Sequence, residues 1–110
     1  MEPQYKTAAP ARHEVDAMRG DVVVSFGTNW CGYCQAAEPA IHEAISARPG
    51  LTHIRVEDGP GRPLGRSFQV KLWPTLIVMK NGQELSRIVR PKNAEEITLA
   101  LGALDEAAAR

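Results

Sequence analysis

The sequence contains few cysteines, few aromatic residues and no net charge. Its 110 residues include two cysteines and 5% aromatic residues, and 13 Lys plus Arg balance 13 Asp plus Glu. A neutral chain has no basic excess that would attract nucleic acid or an anionic membrane surface. Small secreted domains held together by disulfides usually carry four or more cysteines. The composition therefore argues against a disulfide scaffold and against a nucleic-acid or membrane partner.

The sequence also lacks long apolar runs. Its first 20 residues are polar and are interrupted by Pro3 and Pro10, so they lack the apolar centre of a signal peptide. The longest apolar runs are far shorter than the ~20 residues that a membrane-spanning helix needs. We therefore expect a cytoplasmic protein, provided that no leader has been removed. With 44% apolar residues at this length, the chain should fold as one domain over residues 1–110.

Apolar periodicity and turn residues predict alternating strands and helices. Residues 22–26, VVVSF, are typical of a strand covered on both faces, and Asn81-Gly82 is a strong hairpin signal. This alternation predicts a largely parallel sheet with helices on both faces and an antiparallel edge at the hairpin. The predicted elements are an edge strand at Gln4–Thr7, a helix at Ala11–Arg19, a strand at Val22–Phe26, a helix at Cys31–Ala47, a strand at Thr52–Glu57, a short helix at Pro63–Phe68, strands at Thr75–Lys80 and Glu84–Val89, and a helix from Asn93.

The two cysteines, Cys31 and Cys34, lie where the first buried strand passes into a helix. A helix N-terminus carries partial positive charge, which favours the thiolate form of Cys31. Residues three apart on a helix share a face, so the two sulfurs can reach bonding distance. Cys31 could then attack a disulfide and Cys34 could resolve the mixed intermediate. A C-x-x-C pair in this strand-to-helix setting indicates a redox site.

Two other interpretations of the pair remain open, a zinc half-site and a static disulfide. Zinc takes about four ligands, and the candidate partners are His13, His42 and His53. None of these histidines stands at metal-ligand spacing from the cysteines. We therefore expect neither a bound metal nor a bound cofactor.

The chain resembles the thioredoxin family over nearly its whole length, and four features carry the resemblance. WCGYC at Trp30–Cys34 resembles the family's active-site motif, and Pro39 follows Cys34 at the position of the family's helix-kinking proline. VKLWPTL at Val70–Leu76 resembles the segment with the family's cis-proline, and KNGQEL at Lys80–Leu85 resembles its final hairpin. The resemblance implies an α/β thioredoxin fold, with a central mixed sheet of four to five strands flanked by helices on both faces.

The resemblance also implies roles for individual residues. Cys31 would be the exposed nucleophile and Cys34 the buried resolving thiol. Pro74 would face them with a cis peptide bond, although the residue pattern alone favours trans at this strand start. The backbone of Trp73 would offer hydrogen bonds to an extended substrate chain. The remaining expected substrate-binding residues are Trp30, Gly32 and Tyr33.

The sequence departs from the family at the position of its buried aspartate, which is thought to accept the resolving thiol's proton. Ser25 occupies that position, and Arg55 replaces the family's partner lysine. A serine hydroxyl is a poor base near neutral pH. Glu38, four residues after Cys34, could accept the proton instead, or it could point to solvent and leave the task to water.

Two further departures lie beside the sulfurs. Tyr33 replaces the proline of thioredoxins, and Gly-Tyr at this place resembles periplasmic disulfide isomerases. We expect a redox potential less reducing than that of thioredoxin, because the intervening dipeptide helps to set thiolate stability. Trp73 replaces a smaller aliphatic residue. It either joins Trp30 and Tyr33 in an exposed aromatic patch or packs under the active-site loop.

The leading functional hypothesis is a monomeric thiol–disulfide oxidoreductase that acts on protein disulfides. A separate reductase or thiol pool would supply its electrons. One alternative is a thioredoxin-fold module that binds a protein partner, with incidental redox activity. A metal carrier that uses Cys31 and Cys34 is the other.

Overall fold

The computed structural model describes residues 5–109, in which strands and helices alternate. The first strand is followed by a helix of 15 residues that begins just after Cys31, at the candidate site that the sequence predicts. The elements are α1 (Arg12–Asp16), β1 (Asp21–Gly27), α2 (Gly32–Ser46), β2 (Thr52–Glu57), α3 (Pro63–Ser67), β3 (Thr75–Lys80), β4 (Gln83–Val89) and α4 (Ala94–Ala108).

The strands form one mixed sheet in the order β2-β1-β3-β4. Strand β1 runs parallel to β2 and antiparallel to β3, and β3 runs antiparallel to β4. The prediction of a largely parallel sheet is therefore wrong, whereas the mixed sheet implied by the thioredoxin resemblance is confirmed. Helix α3 has five residues and covers about 7 Å, whereas β2 covers about 20 Å. The chain therefore does not return along the sheet after β2, and β3 starts near the carboxyl end of β1.

Most element boundaries agree with the predicted ones. The bounds predicted for β2 and β3 are confirmed, and Asn93 caps α4 by accepting the backbone N–H of Glu96 at 2.9 Å. Helix α1 is shorter than predicted, because Met18 closes it with a bond from its N–H to the carbonyl of Val15. Of the predicted edge strand at Gln4–Thr7, Gln4 lies outside the described residues. The rest forms a single bridge between Lys6 and Val56.

The two faces of the sheet bury separate apolar clusters. One face packs Phe26 and Phe68 with α1 and α3, and the other packs against α2 and α4. Helix α4 buries Ile97, Leu101 and Leu104 against the sheet. In α2 the buried stripe includes Ala37, Ile41 and Ala44, whereas Ala36 is exposed.

Strand β1 alternates between these two faces and so positions the candidate site. Val22, Val24 and Phe26 belong to the α1 and α3 cluster, whereas Val23 belongs to the α2 and α4 cluster. Period-two alternation then directs Ser25 and Gly27 towards α2. Within residues 5–109, no helix is long and apolar enough to cross a membrane.

Candidate active site

Cys31 caps the N-terminus of α2. Its backbone is extended, at φ −79° and ψ 122°, and its Sγ accepts the backbone N–H of Cys34 at 3.3 Å. Serine, threonine or aspartate oxygens usually make this contact, which satisfies a free N–H of the first turn. The N–H groups and dipole of the helix favour negative charge at the same point. The sulfur of Cys31 therefore lies where a thiolate is stabilised.

Cys34 lies one turn further on and beneath the surface. Its residue is 2% exposed, whereas Cys31 is 8% exposed. Burial and the contact with the Cys31 sulfur together raise the pKa of the Cys34 thiol to about 12, although the backbone of Thr28 and the side chain of Tyr5 act to lower it. The two sulfurs are therefore inequivalent, and Cys34 is a protonated thiol at neutral pH. Cys31 is less exposed than the resemblance implied, because Trp73 packs against the pair.

Gly27, the last residue of β1, forms the floor under Cys34. A Cβ at this position would lie 2.6 Å from the Cys34 Sγ and 2.9 Å from the ring of Tyr5. Real Cβ atoms essentially never approach that closely, so any larger residue would displace one of the two side chains. Tyr5 is thus a neighbour of the cysteine pair. The sequence analysis did not single it out, because it lies outside the C-x-x-C motif.

Three aromatic side chains surround the sulfurs. Trp30 is 73% exposed and Tyr33 is 60% exposed. Trp73 packs edge-to-face with Trp30, with 5.8 Å between ring centroids, and its Nε1 donates to Asp58 Oδ2 at 2.8 Å. Both interpretations of Trp73 therefore hold in part, since it packs against the cysteines and also joins the exposed rings.

Arg90, the residue after β4, contacts two residues of the aromatic rim formed by Trp30, Tyr33 and Trp73. Its guanidinium carbon lies 3.8 Å from the centroid of the Tyr33 ring, a cation–π contact. Its Nε donates to the carbonyl of Trp73 at 2.8 Å, and its backbone N–H donates to the carbonyl of Pro74 at 2.8 Å. The sequence analysis missed Arg90, whose only local signal is its neighbour Pro91. One lone pair of the Trp73 carbonyl is therefore engaged within the protein.

Pro74 and Gly32 complete the set of predicted site residues. The Trp73–Pro74 peptide bond is cis, as the family resemblance implied. Pro74 is buried immediately before β3, and through Trp73 it adjoins the cysteine pair. Gly32 is the exposed first residue of α2, and a Cβ there would meet nothing within 4 Å.

A polar cluster lies beneath α2, next to the cysteines. In the parallel register, Ser25 of β1 pairs with Arg55 of β2. The Ser25 hydroxyl and Nε2 of His53 are 2.7 Å apart and share a hydrogen bond. Arg55 Nη1 donates to Glu38 Oε1 at 2.6 Å. The other carboxylate oxygen of Glu38 is buried, with no hydrogen-bond partner among residues 5–109.

The comparisons with known proteins agree with this geometry. A model of the thioredoxin family matches residues 3–103. The chain belongs to the thioredoxin family. Thioredoxin 2 from Pseudomonas aeruginosa PAO1, in its reduced form, has 50% sequence identity and a TM-score of 0.85. That match covers 96% of this chain and 99% of the other.

Two thioredoxins are similar in sequence over shorter segments. Thioredoxin H2 of Arabidopsis thaliana is 31% identical over 74 residues, which are 67% of this chain and 56% of that protein. The thioredoxin of Mycobacterium tuberculosis H37Rv is 38% identical over 72 residues, or 64% of this chain and 62% of that protein. The matched part of the chain thus spans less than two thirds of either relative.

The polar cluster shows what replaces the buried aspartate that the thioredoxin resemblance implied at position 25. Ser25 is fully buried and bonds to His53, so it offers no carboxylate to the resolving thiol. Glu38 is only partly exposed and is held by Arg55, so the interpretation of Glu38 as a solvent-directed side chain is wrong. A partly buried carboxylate of α2 is therefore fixed against β2 by its ion pair with Arg55. Across residues 5–109, no group of three or more His, Cys, Asp or Glu is arranged to hold a metal ion.

His53 should make the stability of the protein depend on pH. Burial, and secondarily the charge of Arg55, lower its pKa from 6.5 to about 4. The unfolded chain therefore binds the proton first as pH falls, so stability is full above about pH 6.5 and is lost towards about pH 4. We expect His53→Gln to reduce this pH-dependent loss of unfolding free energy by about 3 kcal/mol, measured in urea unfolding curves across this pH range.

His42→Gln is the matched control, because His42 is exposed on α2. It should retain the pH dependence of the unsubstituted protein. The assignment is wrong if His53→Gln and His42→Gln follow the same curve, or if His53→Gln steepens it.

Proposed function

We propose that the protein is a thiol–disulfide oxidoreductase that exchanges disulfides with protein substrates through Cys31 and Cys34. The observation that carries the proposal is the Cys31 sulfur at the helix N-cap, bonded to the N–H of a buried Cys34. Such an arrangement provides a stabilised thiolate and a second thiol within reach of it. The family match supports the same activity.

The reaction runs in two exchanges. The thiolate of Cys31 attacks one sulfur of the substrate disulfide, forming a mixed disulfide and releasing the first substrate thiolate. Cys34 then attacks the Cys31 sulfur, the Cys31–Cys34 bond forms, and the second substrate thiolate leaves. The protons of the pair pass to the released thiolates. The substrate gains two electrons and the protein becomes the disulfide, so each cycle needs a separate reductase or thiol pool.

The substrate contacts would come from the rim around the sulfurs. Exposed Trp30 and Tyr33 provide apolar surface for a protein chain, and Gly32 leaves space above the helix start. The backbone of Trp73, beside Pro74, would pair with an extended segment of substrate. Because Arg90 already engages the Trp73 carbonyl, the substrate would use the second lone pair of that oxygen or the Trp73 N–H.

Two side chains, Ser25 and Glu38, are candidates for accepting the proton of Cys34 or for tuning its pKa. The hydroxyl of Ser25 is a poor base and is hydrogen-bonded to His53. Glu38 of α2, in contrast, has a carboxylate oxygen with no hydrogen-bond partner among residues 5–109. We assign Glu38 to tuning the electrostatics around Cys34, with Arg55 fixing its position. Released substrate thiolate remains the final carrier of the proton.

The setting proposed for this activity is a monomer in the cytoplasm, with protein disulfides and a reductase or thiol pool as its partners. The balanced charge supports the absence of a nucleic-acid partner. The comparisons do not favour the alternative of a binding module, because the chain matches the thioredoxin family and keeps both cysteines of the C-x-x-C pair.

Substitution of each cysteine should separate the two exchanges. Cys31→Ser should abolish the reduction of insulin disulfides, because the attacking thiolate is gone. Cys34→Ser should keep the first attack and accumulate mixed disulfides, which non-reducing gels and mass spectrometry would detect. Full insulin reduction by the double variant would contradict the proposal, and a protein-binding role would then be tested by pull-down with that variant.

The redox potential should be less reducing than the roughly −270 mV of thioredoxin. Tyr33 replaces the family's proline, and the cation of Arg90 stacks on the Tyr33 ring, two residues along the chain from Cys31. Both the dipeptide and nearby positive charge stabilise the reduced form, which makes the pair a stronger oxidant. Equilibration with a series of glutathione redox buffers measures this potential. Tyr33→Pro should shift it towards thioredoxin, and an unsubstituted potential at or below that of thioredoxin would refute the expectation.

A further inference from the structure

Tyr5 is fixed beside the loop that leads into the cysteine pair. Its backbone N–H donates to Asn29 Oδ1 at 2.8 Å, and Asn29 Nδ2 donates to the Tyr5 carbonyl at 3.3 Å. The next residue, Lys6, forms a parallel bridge with Val56 of β2. Two contacts on opposite sides therefore hold the backbone of Tyr5 between the sheet edge and the turn before Cys31.

The side chain of Tyr5 points inward to the sulfurs. It is 6% exposed and packs with Cys31 and Cys34. The atoms nearest to a Cβ built on Gly27 are the Cys34 Sγ, at 2.6 Å, and the Tyr5 Cζ, at 2.9 Å. Cζ carries the hydroxyl, so the phenol group and the resolving sulfur converge over the same glycine.

The hydroxyl of Tyr5 is buried without a hydrogen-bond partner among residues 5–109. A buried polar group in this state destabilises the fold, whereas phenylalanine would fill the same space at no such cost. Burial, and secondarily the charge of Cys34, raise the pKa of Tyr5 well above its ordinary value. Arg55 and Glu38 also face it and act in opposite directions. The phenol therefore keeps its proton and is available as a hydrogen-bond donor.

We propose that Tyr5 is a catalytic residue of the resolving exchange, whose hydroxyl donates a hydrogen bond to the Cys34 sulfur as that sulfur becomes a thiolate. The proposal rests on the oxidoreductase function proposed above. A neutral thiol is a weak acceptor, which fits a hydroxyl with no partner while Cys34 is protonated. A thiolate is a charged acceptor, and hydrogen bonds to charged groups are stronger.

The step balances without any further reactant. The Cys34 thiol gives up its proton, which ends on the departing substrate thiolate. The Cys34 sulfur forms a bond to the Cys31 sulfur while the bond between Cys31 and the substrate sulfur breaks. Tyr5 keeps its own proton throughout and lowers the energy of the intervening thiolate.

Tyr5→Phe tests the proposal, because it removes the hydroxyl and keeps the ring. The probe is dithionitrobenzoate, an aromatic disulfide that releases one coloured thiolate on attack by Cys31 and a second on resolution by Cys34. In stopped-flow measurements with Tyr5→Phe, we expect the first release to be unchanged and the second to slow about tenfold or more. The melting temperature should stay the same or rise, because an unpartnered buried hydroxyl is gone.

Cys34→Ser provides the matched background, since only the first release remains in it. Adding Tyr5→Phe to Cys34→Ser should then change nothing. An unchanged second release in Tyr5→Phe would overturn the proposal, and so would a lower melting temperature with both releases slowed, because a packing role produces that pattern. If the unsubstituted protein releases neither thiolate, the oxidoreductase function itself fails, which is a separate result.

Discussion

The burial of the Cys34 sulfur over Gly27 is the contact on which the active site depends. Strand β1 ends there, and the absence of a side chain at Gly27 lets the sulfur and the ring of Tyr5 meet above the backbone. Helix α2 can therefore begin close to the sheet, with Cys31 as its N-cap. The Cys31 sulfur lies at the helix N-terminus, and the Cys34 sulfur lies one helical turn further on. The two thiols therefore differ in their environment and in their reactivity. Burial holds Cys34 as a thiol while the helix stabilises the thiolate of Cys31.

The same geometry requires the mixed sheet. Because β3 starts near the carboxyl end of β1, the Trp73–Pro74 segment lies beside the cysteines, and Trp73 packs against them. Arg90, at the end of the neighbouring β4, then reaches both the Trp73 carbonyl and the Tyr33 ring. Three elements that are distant in sequence thus form one surface around the sulfurs. The polar cluster of Ser25, His53, Glu38 and Arg55 links β1 to β2 and β2 to α2, the helix that carries Cys34.

Features set by local sequence could be predicted, and features set by distant contacts could not. The bounds of β2 and β3 follow from apolar runs flanked by turn residues, and the Cys31–Cys34 pair follows from spacing and a strand-to-helix junction. The antiparallel direction of β3 depends on how far α3 carries the chain, which no periodicity encodes. Tyr5 pairs with Asn29 across 24 positions and Ser25 with His53 across 28. Such partners are chosen by the packed fold, so the sequence pattern could not identify them.

The inequivalence of the two sulfurs is the central claim, and alkylation of the reduced native protein tests it most directly. Limited treatment with iodoacetamide near neutral pH, followed by peptide mass spectrometry, reports the rate at each cysteine. We predict that Cys31 is labelled first and that Cys34 is labelled only after unfolding, because its thiol is buried and its pKa is raised to about 12. Equal rates at the two positions, or faster labelling of Cys34, would contradict the claim.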